Sequence, residues 1–80
     1  MTESIFSEIR GFSSLGEYNR FVEYLERQKE NNTVREISPD LSYGKGEIYG
    51  GRWFKEIDTD LIWRLIEPDP PFYGLWEQVK

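Results

Sequence analysis

The segment Leu61–Glu67 (LIWRLIE) constrains the fold more than any other. In an extended chain, successive side chains point to opposite faces. Leu61, Trp63 and Leu65 then share one face, and Ile62, Arg64 and Ile66 share the other. Both faces are largely apolar, so this strand belongs in the interior of a sheet. The preceding RWFKEI is also β-rich, and Asp58-Thr59-Asp60 between the two runs has turn chemistry at hairpin length. Residues 52–67 are therefore expected to form a hairpin.

Other strands are expected around it. Residues 33–37 (TVREI) fit a short strand that Ser38-Pro39-Asp40 ends. Residues 42–46 (SYGKG) read as a loop, and a strand pattern resumes over 47–57, where Gly50-Gly51 suggests a bulge or bend. Pro68-Asp69-Pro70-Pro71 ends the central strand, because proline cannot donate to a ladder. Residues 72–79 then make a last strand with Phe72 and Trp76 on one face. Connections this short favour an antiparallel meander over parallel crossovers.

One helix precedes these strands. Ser14 and Glu17 have capping-box spacing, and Leu15, Tyr18, Phe21, Val22 and Leu25 form a single apolar stripe. Glu23 and Arg27 sit four apart in the favourable order. Asn31-Asn32 supplies a stop, since asparagine tolerates the left-handed conformation that ends helices. Residues 1–13, with Ile5, Phe6, Ile9 and Phe12, read as an irregular or strand-like lead-in that covers the core. The expectation is one α+β domain over residues 1–80: an amphipathic N-terminal helix packed on an antiparallel meander sheet of three to four strands. The helix covers one face, leaving the other open or covered by the lead-in.

Composition narrows the function. A chain of 80 residues buries only ~60 % of its unfolded surface. Aromatics, at 16 % of the residues, must therefore supply much of the core. The net charge of −5 disfavours phosphate backbones and anionic membranes and favours a basic protein partner. Neither a signal-like apolar run nor a stretch of spanning length is present, so the chain reads as cytoplasmic.

Catalytic chemistry is sparse. Without histidine or cysteine, the commonest general base, thiol nucleophile and thiolate metal sites are missing. Asp58, Asp60, Glu67 and Asp69 are carboxylates that could pair as acid and base, and the DTD segment of Asp58 and Asp60 could gather a calcium ion. Their settings, DTD and EPDPP, are turn sequences, and a chain this short leaves little room for a substrate cleft. No enzyme activity and no cofactor or metal are expected. Trp53, Trp63 and Trp76 could form a sugar platform, but at least two of the three, Trp63 among them, read as core residues.

Surface recognition is left. From Glu56 to Asp69 there are five acids (Glu56, Asp58, Asp60, Glu67 and Asp69) against one base, Arg64. With the aromatic Tyr73 nearby, these residues are the candidate partner-binding set.

The C-terminal half also resembles small immunity proteins of bacterial polymorphic-toxin and contact-dependent inhibition systems. The resemblance covers about residues 50–79. It rests on the aromatic strand Gly51-Arg52-Trp53-Phe54, the strand Trp63-Arg64-Leu65, the segment Pro68-Asp69-Pro70-Pro71-Phe72, and the stretch from Gly74 to Glu77. It implies a protein made beside its cognate toxin, which it binds and blocks. Such toxins are often nucleases with basic clefts, which an acidic inhibitor suits. The alternative is a small adaptor that recognises a peptide or sugar through exposed aromatics. The oligomeric state is left open by the sequence.

Overall fold

The computed structural model describes residues 4–39 and 51–79. The expected loop at 42–46, Gly50 and the start of the strand placed at 47–57 lie outside the described residues. One helix packs on a four-stranded antiparallel sheet, an α+β arrangement. Helix α1 spans Leu15–Glu30, and the strands are β1 (Val34–Ile37), β2 (Arg52–Glu56), β3 (Ile62–Ile66) and β4 (Leu75–Val79). Their order is β1-β2-β3-β4, every pair antiparallel, so the sheet is a meander.

Local chemistry sets the helix ends. Ser14 is the N-cap, its Oγ accepting from the Glu17 amide at 3.1 Å. The Glu17 carboxylate reaches back to accept from the amide of Ser13, the residue before the cap, at 3.1 Å. At the other end Asn32 takes φ 59, and Arg27 and Lys29 place positive charge on the last turn.

The hairpin forms where the sequence places it, with a turn of residues 57–60. Asp60 adopts φ 61 there, and its amide donates to the Glu56 carbonyl at 2.9 Å. β3 is interior in the sheet and alternates as expected. Trp63 and Leu65 meet the helix side, where Phe54 is the Cα partner of Trp63 and Trp76 that of Leu65. On the opposite face Trp53, Arg64 and Ile66 are also buried. There Arg64 donates through Nε and Nη2 to the Glu77 carboxylate at 2.9 and 2.8 Å, across the β3–β4 register.

The core is an aromatic cluster. The Trp63 and Trp76 rings are stacked 5.4 Å apart, and Phe6 meets both edge-on at 5.6 and 5.2 Å. Phe21 reaches Trp76 at 5.0 Å and Phe12 at 5.8 Å. The lead-in thus joins the helix on the same face of the sheet instead of covering the opposite one. Two anchors hold it there: Ile9 exchanges both backbone hydrogen bonds with Trp76 at 2.8 Å, and Phe12 donates to the Tyr73 carbonyl at 2.9 Å.

Two further expectations are corrected. Leu15, counted in the helix stripe, is 61 % exposed, and Leu25 is the fully buried member. The last strand starts at Leu75, not at residue 72. Asp69 and Phe72 bond each other's backbone at 3.0 and 2.9 Å, which commits Phe72 to the turn.

Candidate protein-binding surface

The six residues singled out in the sequence do not form one face. Glu56 is withdrawn from the surface altogether, at 2 % exposure. Its position in β2 points it to the helix side, below the lead-in. One carboxylate oxygen accepts from Ser4 Oγ at 2.7 Å and Trp63 Nε1 at 3.3 Å; the other accepts from the Ile5 amide at 3.1 Å. A buried carboxylate needs such donors, because burying it unpaired is costly. Glu56 is a clasp for the lead-in, and a partner cannot touch it in the folded chain.

The other acids separate along β3. Asp58 and Asp60 are exposed in the β2–β3 turn; Glu67 and Asp69 are exposed in the β3–β4 loop. The strand between the two groups holds five residues, a span of ~17 Å at the usual rise. Asp60 also lies 3.5 Å from Lys55 Nζ, so part of its charge is answered within the chain. Among the described residues Glu67 and Asp69 meet no cation within ion-pair distance.

The loop of residues 67–74 is firmly held. Besides the paired bonds of Asp69 and Phe72, the Tyr73 carbonyl is tied to Phe12. Gly74 takes φ 77, and a Cβ there would stand 2.8 Å from the Ile66 carbonyl. Only glycine fits that close approach at positive φ. The loop holds Tyr73 outward at 69 % exposure. Between this loop and the start of α1 runs a groove of about 380 Å³, lined by Phe12, Leu15, Glu67, Pro68, Phe72 and Tyr73 among others. The sequence stripe that assigned Leu15 to the core concealed its place here.

Electrostatics differ between the groove and the rest of the helix side. Near β1, Arg52 grips Glu36 through Nε and Nη2, each at 3.0 Å, and Glu26 through Nη2 at 2.8 Å. Lys29 adds a 3.0 Å bond to Glu36. The hydrogen bonds from Arg52, with those from Lys29, hold the Glu36 carboxyl down at about 2. Those charges are neutralised inside the chain. By the groove, burial first and then the Glu67 carboxylate push the Tyr18 phenol above its usual range, partly offset by Arg52.

All three tryptophans are buried, which removes them as a surface platform. Among the described residues no three acidic side chains converge as a metal site would require. No helix among them is long and apolar enough to cross a membrane. No family model, no curated protein and no solved structure gives a significant match to this chain.

Proposed function

We propose that this chain is an immunity protein that binds and neutralises a cognate bacterial toxin, acting by occupancy and not by turnover. The observation that carries the reading is the display of carboxylates at both ends of β3 on a chain of net charge −5. Asp58, Asp60, Glu67 and Asp69 are all exposed, while Glu26, Glu36 and Glu77 are paired with Arg52, Lys29 and Arg64. Such a surface attracts a basic protein and speeds its encounter. A toxin domain that cleaves nucleic acid offers a basic cleft of that kind. The strand Trp63-Arg64-Leu65 and the segment Pro68–Phe72, which carry the resemblance to immunity proteins, support the same reading. In this fold they serve as central strand and rigid loop.

The direct test is co-expression with the protein encoded immediately upstream of its gene. Survival of the cells and co-purification of a stable complex is the expected result. Unchanged toxicity without a complex overturns the reading. Binding should also weaken as salt rises, since exposed charges are screened.

A further inference from the structure

We infer that the groove between the start of α1 and the β3–β4 loop is a docking site for a protein segment that carries a lysine or arginine beside a large apolar side chain. The inference goes beyond the toxin reading, because it concerns this surface whatever protein supplies the segment.

Three observations converge on that occupant. The groove is apolar along its floor, with Phe12 and Phe72, and two large side chains, Leu15 and Tyr73, stand exposed on its walls. A volume of about 380 Å³ accommodates one or two side chains. An apolar residue of the partner would fill it. The rim supplies the charge: Glu67 lines the groove and Asp69 follows it in the same loop, and neither meets a cation among the described residues. Two uncompensated carboxylates beside an apolar slot complement a cation flanked by an apolar group, and they repel an acidic or phosphorylated segment.

The walls are also pre-organised. The backbone bonds of Asp69, Phe72 and Tyr73 fix the loop before any partner arrives. Tyrosine is a favoured anchor in interfaces because it offers a large contact at little entropic cost. The β2–β3 turn also sets exposed Ile57 beside Asp58, but it offers no aromatic anchor. It has Asp58 and Asp60, but Asp60 already faces Lys55.

The test uses the folded full chain and a displayed library of random peptides. Selected sequences should pair a lysine or arginine with a neighbouring large apolar residue. Affinity of a synthesised winner, measured by titration calorimetry, should fall ~10-fold or more for Tyr73→Ala and for Glu67→Lys with Asp69→Lys. It should be unchanged for Asp58→Lys with Asp60→Lys. Leu15→Asp gives a second, exposed probe of the wall, and circular dichroism checks that each variant folds. No enrichment, winners lacking a cation, or a winner indifferent to Tyr73→Ala overturns the inference. So does a wild-type dimer that Tyr73→Ala converts to monomer, since a second copy would then be the occupant. These outcomes are separate from the co-expression result: a toxin that binds the β2–β3 turn refutes the groove and leaves the immunity reading intact.

Discussion

Trp63 and Trp76 lie face to face, with centroids 5.4 Å apart and planes 6° from parallel, yet their indole N–H groups meet different fates. Trp63 Nε1 donates to the Glu56 carboxylate at 3.3 Å, whereas Trp76 Nε1 is buried with no hydrogen-bond partner among the described residues. An unmet buried donor costs about 1–3 kcal/mol. Replacing the two rings by phenylalanine should therefore differ in cost. Trp63→Phe strips a donor from a buried carboxylate. Trp76→Phe loses packing but relieves the unmet N–H. We expect Trp63→Phe to be the more destabilising by about 1–3 kcal/mol in urea unfolding. Equal losses would show that packing alone decides.

Glu56 yields a second prediction. Glu56→Ala leaves the Ile5 amide and Trp63 Nε1 without their acceptor and frees the lead-in, at a cost of about 2–4 kcal/mol. Glu56→Gln keeps one acceptor oxygen and should cost less. Neither change should alter partner binding once the chain is folded. A binding defect that persists under conditions where Glu56→Gln is fully folded would contradict the clasp.

Gly74 supplies a third. Glycine to alanine at φ 77 forces a left-handed alanine, worth about 1–2 kcal/mol, and brings its Cβ within 2.8 Å of the Ile66 carbonyl. Gly74→Ala should lower the unfolding midpoint and loosen Tyr73, seen as increased amide exchange over residues 72–74.

Acid stability follows from Glu36. Its folded carboxyl is depressed to about 2 from the ordinary 4.5 by hydrogen bonds from Arg52 and Lys29. A depressed carboxylate stabilises the fold above its unfolded pKa, and that stability drains as pH falls from about 4.5 towards about 2. Glu26, lowered chiefly by Arg52, titrates in the same sense. Because these groups are partly exposed, screening limits the contribution of the Glu36 pair to about 1 kcal/mol. Glu36→Gln should flatten the acid limb of stability against pH, measured by thermal unfolding between pH 5 and pH 2. An unchanged limb would assign acid sensitivity to other carboxylates.

Patterning made most of the fold legible. Ser14 with Glu17, the two-faced strand around Trp63 and the acid-rich turn before it gave the helix, the interior strand and the meander. These are local signals, and local chemistry decided them. Contacts that span the chain were not legible. The hydrogen bond between Glu56 and Ser4 joins residues 52 apart, so nothing beside Glu56 in the sequence marks it as buried. The acids looked contiguous from Glu56 to Asp69 because β3 separates them in space only once it is extended. Leu15 kept its helical period but stands at the helix start outside the core cluster, which the period alone does not reveal. Tyr73 was the one aromatic singled out for the surface, and it is exposed.

β4 ends the sheet, and a terminal strand with open amides is a template for the next molecule. Here Ile9 takes both backbone groups of Trp76, and the Glu8 carboxylate accepts from the Gln78 amide at 3.1 Å. The segment that completes the aromatic core thus also occupies backbone groups of this edge that another strand could pair with. Proteolytic clipping ahead of residue 10 would do more than weaken the domain. It would also bare the outer backbone edge of Leu75–Val79 to pairing with another strand.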